Sequence, residues 1–339
     1  MEKGHTKIWK INDVNDQAIE EAAVFLKAGI LVAFPTETVY GLGADARNEQ
    51  AVSEIFKAKG RPEDNPLIVH VGDKSSVDPW VKEIPNHAEK LMRTFWPGPL
   101  TIILPVGKGL ARNVTAGLET VGVRVPDHPV GRALLQEAKI PVAAPSANRS
   151  GRPSPTSAEH VRTDLDGRIA GILDGGTTGV GVESTVIDCS LPTPMILRPG
   201  GVTRAEIEQV IGAVEVAGSL EKNEPPRSPG MKYKHYAPET EVWLVRDPEK
   251  IIELADQLKN EGQKVGFLVS NELAAEHELD ELFLLGSRDH LEEVSQNLYR
   301  RLREIDTRDV DIVLAESFST DGIGEALMNR LERAATEIK

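Results

Sequence analysis

Apolar positions in this chain recur with two different periods, and the alternation between them predicts its elements. Helical spacing runs through Asp16–Lys27, Glu49–Ala58, Pro85–Phe95, His128–Ala138, Ser157–Leu165 and Thr203–Ile211. Their ends are written in the sequence. Gly29 and Gly60 follow two of them, Trp96-Pro97-Gly98-Pro99 stops a third, and Thr203 with Glu206 forms a capping box. Short apolar runs lie between the helices: Ile30–Phe34, Leu67–Val71, Thr101–Val106, Thr120–Val125, Pro141–Ala144, Ile169–Leu173, Ser184–Cys189 and Met195–Arg198. These predict buried strands. Several follow one another without a helix, so the fold class is α/β with a twisted mixed sheet, not a purely doubly wound one.

From Gly212 to Pro238 the periodicity stops and prolines accumulate, which predicts a linker longer than a compact domain needs. Long loops of this kind are usually functional or disordered. Beyond it, strands Glu241–Val245, Lys264–Val269, Leu282–Leu285 and Val310–Ala315 alternate with helices Pro248–Leu258, His290–Ile305 and Gly324–Ile338. This predicts a smaller Rossmann-like α/β domain. The expected organisation is therefore 1–211, a linker 212–238, and 239–339. Gly322-Ile323-Gly324 lacks the third glycine of a dinucleotide fingerprint.

Composition narrows the function classes. Aromatic residues are 4% of the chain, too few for a single-strand stacking platform. Residues 240–339 hold 23 acidic against 12 basic side chains, and the rest of the chain 30 against 27. The acidic tail is a poor nucleic-acid grip, while the near-neutral remainder can still hold a local basic site. Cys189 is the only cysteine, so no internal disulfide forms. It sits in an apolar run and reads as a small buried hydrophobe. No apolar stretch approaches a membrane span, and the first ten residues lack a signal pattern, so a cytoplasmic location without membrane contact is expected.

Candidate chemistry gathers in the turns. Lys59-Gly60-Arg61-Pro62-Glu63-Asp64-Asn65-Pro66-Leu67 joins a helix to a strand and pairs a point charge with a planar fork, which suits a polyphosphate; a solvated basic loop is the alternative. Phe34–Gly43 leaves a strand end with hydroxyls and glycines. Ala143–Thr156 follows a buried strand with Ser146, Asn148, Arg149, Arg152 and Ser154. Arg124 stands inside an apolar strand and needs an anionic partner, either structural or from substrate. His70 lies in another such strand, as a core histidine or a ligand. Walker, paired-histidine and nucleophile-elbow motifs are missing. No covalent nucleophile is expected, and the site works by positioning and electrostatics.

Taken in order, Pro35–Gly43, Lys59–Leu67, Thr120–Pro126, Ala144–Thr156, Glu183–Asp188 and Leu197–Gly200 resemble the threonylcarbamoyl-AMP synthase family, of YrdC/TsaC type. The run Ser228–Pro238 resembles the long, two-domain branch of that family. The resemblance implies a YrdC-like catalytic domain and synthesis of threonylcarbamoyl-AMP and pyrophosphate from L-threonine, bicarbonate and ATP. The product would go to a tRNA threonylcarbamoyl transferase complex. The resemblance assigns Thr38, His70, Arg124, the main chain at Ala144, and Ser184 to threonine. It assigns Arg61, Asn65, Thr120, Ser146, Ser154, Arg198 and the linker's Tyr236 to ATP, with Lys59 assisting the phosphates. Mg²⁺ would arrive with ATP without protein side-chain ligands, and no organic cofactor is expected. Tyr236 suggests that the linker is a lid.

Two rivals follow from the same fold. One is a double-stranded-RNA-binding module, which the charge distribution opposes, leaving weak RNA contact at most. The other is a carbamoyl-transfer enzyme of the hydrogenase-maturation kind, whose zinc finger a single cysteine excludes.

Overall fold

The computed structural model describes residues 5–14, 17–218, 228 and 236–339. Most of the expected linker, and the Asp16 start of the first helix, lie outside the described residues. Contacts divide the chain into two compact units. The first is Met1–Ser150, Pro155–Gly179 and Glu183–Tyr233; the second is Gly151–Ser154, Val180–Val182 and Lys234–Lys339.

The first unit contains one mixed sheet. Its strands are β1 Lys7–Lys10, β2 Val32–Phe34, β3 Gly41–Asp45, β4 Ile68–His70, β5 Leu100–Pro105, β6 Thr120–Arg124, β7 Val142–Ala143, β8 Gly171–Asp174, β9 Thr185–Asp188, β10 Met195–Arg198 and β11 Glu215–Val216. They are ordered β1-β8-β2-β3-β7-β4-β6-β5-β9-β10-β11. Parallel pairs such as β4–β6 and β5–β9 alternate with antiparallel pairs such as β4–β7 and β5–β6. The expected mixed sheet is present.

Helices α1 Gln17–Lys27, α2 Glu49–Lys59, α3 Asn86–Phe95, α4 Pro129–Ala138, α5 Ala158–Leu165 and α6 Arg204–Ile211 pack on it. Helix α2 shows why the predicted ends hold. Asn48 accepts from the Gln50 and Ala51 amides, and Gly60 closes the helix at φ 64°, where a side chain would be strained. The Thr203–Glu206 capping box is formed at α6.

One sheet face carries the larger apolar core, in which Val69, Ile102, Val121, Val123 and Ile187 pack with Ile55 and Phe56 of α2 and Leu91 of α3. On the other face, α1 and α4 pack over Val32, Phe34, Val142, Ala144 and Leu173. Farther across that face, the apolar patch shrinks to Ile103, Val186 and Leu197 with partly buried neighbours. Cys189 is fully buried, and burial, then Asp188, pushes its thiol pKa up.

The second unit has a wholly parallel sheet of β12 Glu241–Val245, β13 Val265–Val269, β14 Leu282–Leu284, β15 Ile312–Glu316 and β16 Glu337–Ile338, in the order β14-β13-β15-β12-β16. Its helices are α7 Ile251–Asn260, α8 Asn271–Glu276, α9 Leu291–Ile305 and α10 Gly324–Ala334. The buried Glu316 carboxylate ties strand ends together. It accepts from Ser270 N at 2.7 Å and lies 2.9 Å from Arg288 Nη2.

Two readings of the sequence are corrected, and one strand is added that the apolar pattern did not assign. The expected helix Gly324–Ile338 ends at Ala334, and Glu337–Ile338 pairs with β12 instead. Phe34–Gly43 is only partly a turn, because β3 begins at Gly41 and pairs antiparallel with β2. Lys7–Lys10, which shows no apolar run, is an edge strand on β8. Charged residues suit such an edge.

Candidate active site

Strand register, more than proximity in sequence, collects the candidate residues. His70 pairs with Arg124 across β4–β6 and with Val142 across β4–β7. Paired residues share a face, as do positions two apart in a strand. Ala144 therefore joins this face beside Val142. Ile103 pairs with Gly122, so Thr101, Arg124 and Thr120 follow on the same side. Thr101 pairs with Val186, which pairs with Arg198 beyond a bulge. A bridge from Gly41 to Ser146 extends the row at its other end. The polar row thus occupies the face where helix packing by α1 and α4 gives out. Part of this row, at Thr101 and Thr120, borders a small cleft that Ile68, Ile103 and Val186 also line.

The residues expected to hold threonine are buried. Thr38 lies in a turn fastened by Thr36, whose Oγ1 receives the Thr38 and Val39 amides and donates to Val39 O at 2.7 Å. The two threonine hydroxyls meet at 2.8 Å. His70 is 4% exposed, and Phe34 stands edge-on to its ring at 6.2 Å. Burial first, then the Arg124 charge, pushes the His70 pKa down to about 3, so the ring is neutral at pH 7. Ser184 Oγ meets Thr101 Oγ1 at 2.8 Å. The turn after β10 passes so close that a Cβ on Gly200 would lie 2.2 Å from Thr185 N, which only glycine avoids.

Arg124, left open between a structural and a substrate anion, has a carboxylate of its own. Its Nη2 lies 2.7 Å from Glu37 Oε1, and its Nε donates to Gly98 O at 3.2 Å. The ion pair is out of hydrogen-bonding alignment, for neither Nη2 nor Oε1 has a hydrogen-bond partner. Glu37 Oε2 receives the Asp127 amide at 3.0 Å.

Of the residues expected to hold ATP, Arg61, Thr120 and Ser146 are partly exposed and the others are buried. Arg61 is partly buried, and its Nη2 donates to Asn65 O at 3.3 Å and Pro66 O at 3.0 Å, folding Lys59–Leu67 back on itself. Asn65 is 1% exposed, and its Oδ1 has no hydrogen-bond partner. Thr120 and Ser146 are partly exposed. Arg198 donates to Ser184 O through Nη2 at 2.9 Å and through Nε at 3.2 Å, so it braces a threonine-side residue.

Lys59 departs most from its expected part. Its ammonium is 3% exposed and donates to Ser146 O and Asn148 O, both at 2.5 Å, with Asn148 Oδ1 at 3.4 Å. Its hydrogens are committed to shaping the Ser146–Asn148 loop.

Ser154 and Tyr236 belong to the second unit. Ser154 is fully buried. Tyr236 is buried at φ 69°, with its ring 5.4 Å from that of Tyr299 and Arg330 Cζ 5.5 Å from its centroid. Among the described residues, no group of three or more His, Cys, Asp or Glu side chains could hold a metal ion.

Sequence reasoning missed Glu37 and Thr101 as site residues. Glu37 stood inside a quoted segment, but no local pattern pairs it with Arg124. The Thr101–Ser184 contact exists only through the β5–β9 pairing.

Known proteins match this chain along nearly its whole length. Residues 24–200 match the Sua5/yciO/yrdC family model, described as telomere recombination, and residues 202–336 match the model for the threonylcarbamoyl-AMP synthase C-terminal domain. The Bacillus subtilis threonylcarbamoyl-AMP synthase is 51% identical, covering 97% of this chain and 98% of its own. The Pyrococcus abyssi threonylcarbamoyl-AMP synthase is 48% identical, covering 95% of each. The crystal structure of P. abyssi Sua5 complexed with L-threonine superposes with a TM-score of 0.93 at 47% identity, covering 98% of this chain and 99% of that one. Matches of this extent, reaching across both units and every motif of the polar row, place this chain in the threonylcarbamoyl-AMP synthase family.

Proposed function

We propose that this chain is an L-threonylcarbamoyladenylate synthase, a nucleotidyltransferase that converts L-threonine, bicarbonate and ATP into threonylcarbamoyl-AMP and pyrophosphate. The observation that carries this reading is the single polar row, with a buried guanidinium and neutral imidazole leading to hydroxyls and a second arginine along one sheet face. The name the two relatives share, and the L-threonine complexed with P. abyssi Sua5, support it.

In this reading Arg124 receives the threonine carboxylate, while Thr38, His70, Ser184 and the Ala144 main chain orient the rest. The threonine nitrogen bonds to the bicarbonate carbon and water is lost, leaving a carbamate. A carbamate oxygen then attacks the α-phosphate, and pyrophosphate leaves. Burial of the threonine side keeps water from the labile carbamate. Arg61, Asn65, Thr120, Ser146 and Arg198 take the nucleotide, with Lys59 adding charge behind the loop. These donors are cationic and hydroxylic, which suits phosphate oxygens; Mg²⁺ would come bound to them and spread the charge of the leaving group.

The resemblance alone supports three further roles: Ser154 and Tyr236 as nucleotide contacts, residues 212–238 as a lid, and delivery of the product to a tRNA threonylcarbamoyl transferase complex. No described helix is long and apolar enough to cross a membrane, and a cytoplasmic location is part of this proposal. The test is pyrophosphate release from ATP that requires both threonine and bicarbonate, with labelled carbon in the product by mass spectrometry. Release that ignores threonine would remove the assignment.

A further inference from the structure

Apart from threonine and water, every small substrate and product of the proposed reaction is an anion. Bicarbonate, ATP and pyrophosphate all suit a buried arginine as well as a carboxylate does. An Arg124 standing alone would attract each of them, and its burial without a counter-charge would be strongly unfavourable.

The structure supplies that counter-charge. Glu37 is fixed at both ends: its Oε2 receives the Asp127 amide and its main-chain carbonyl receives the Gly179 amide, each at 3.0 Å. Its Oε1 lies 2.7 Å from Arg124 Nη2, with side-chain exposures of 13% and 4%. The other titratable groups around the pair add little charge. His70 is neutral, and burial holds the His128 imidazole below its usual pKa. Asp127 faces Arg132 at 3.7 Å near the surface. The next buried charge on this face, Arg198, is held against Ser184, so directly at Arg124 one buried positive group is matched by one partly buried negative group.

We propose that Glu37 is a specificity-determining residue that makes the Arg124 pocket select a zwitterionic amino acid over simple anions. A zwitterion brings its own ammonium to balance the carboxylate it places on Arg124. At separations of about 4–6 Å, Glu37 also favours that ammonium. A lone anion brings nothing to offset Glu37. The misaligned contact fits this role, because Arg124 Nη2 keeps unused hydrogen-bonding capacity although it is charge-balanced. The inference rests on the proposed synthase reading.

Binding of L-threonine and of 3-hydroxybutyrate, which has the same carboxylate and hydroxyl but no amine, tests it by calorimetry. In Glu37→Gln the threonine-to-3-hydroxybutyrate affinity ratio should fall at least tenfold, with 3-hydroxybutyrate binding no more weakly than to the wild type. Glu37→Asp, which keeps the charge, should stay near the wild-type ratio. An unchanged ratio, or a parallel loss of both ligands, overturns the proposal, the latter because it marks Glu37 as a mere brace for Arg124. A measurement on the wild type alone needs no variant to fold: threonine should outbind both 3-hydroxybutyrate and the cationic L-threoninol. Preference for 3-hydroxybutyrate would refute the charge balance. Threonine-dependent pyrophosphate release by the same wild-type sample separates the outcomes. If release is normal, a failed ratio defeats this inference only; if release is absent, the synthase reading fails with it.

Discussion

Side chains assigned to threonine and side chains assigned to the nucleotide share one sheet face, yet they are set into it differently. Thr38, His70, Arg124 and Ser184 are almost wholly buried and occupied with each other's neighbours, whereas Arg61, Thr120 and Ser146 stand partly in solvent. The division is not the one the assignments draw. Arg198 and Lys59, both counted with the nucleotide, are buried and spend hydrogen bonds on Ser184 and on the Ser146–Asn148 loop. In the buried part, ligand recognition and folding use the same atoms, so a substitution there changes both. In the exposed part they can be separated.

The strongest test of that contrast is Arg124→Ala. It leaves the partly buried Glu37 carboxylate without its counter-charge, and breaking such a pair costs up to about 3–5 kcal/mol. Threonine binding should fall on the order of a hundredfold as the carboxylate clamp goes, a loss of about 2.7 kcal/mol. Denaturant midpoints and calorimetry read the two effects. A variant that loses threonine but keeps full stability would break the comparison.

Arg61→Ala should do the reverse. Charge-assisted hydrogen bonds to two loop carbonyls are lost, which at this partly exposed position costs about 1–2 kcal/mol in total. Pyrophosphate release at saturating threonine should fall by roughly two orders of magnitude, since a transition-state charge contact is worth about 3 kcal/mol. Wild-type turnover in Arg61→Ala would remove it from the nucleotide side.

The smallest expected effect is a pH dependence. The His70 pKa is lowered on folding to about 3, so the unfolded chain binds more protons at this residue. Stability is then fully present above the ordinary histidine range, falls as pH drops below about 6.5, and is lost through about 3. His70→Gln should flatten the difference in melting temperature between pH 7 and pH 5. Identical slopes in both proteins would show that the imidazole is not neutral in the fold.

Much of this was legible along the chain. The helices of the first unit, the capping box at Thr203 and the C-terminal stop at Gly60 depend on residues a few positions apart, which a sequence displays directly. The ordered motifs lie in segments that strand pairing brings to one face of the sheet. Edge strand Lys7–Lys10 and the two-residue strand Glu337–Ile338 were invisible because such pairs are stabilised by the neighbouring strand and carry almost no pattern of their own.

The sequence by itself determined which residues are chemically suited to phosphate, carboxylate and hydroxyl recognition, and that they sit at the ends of buried strands. It could not say what each would be bonded to. Tertiary structure decided that Lys59 holds a loop, that Arg198 braces Ser184, and that Arg124 is matched by Glu37. The reason is physical. Residue type and local period fix which face of an element is apolar, but a buried charge is settled by whichever groups a distant strand brings within a few ångströms, and that register is a property of the whole sheet.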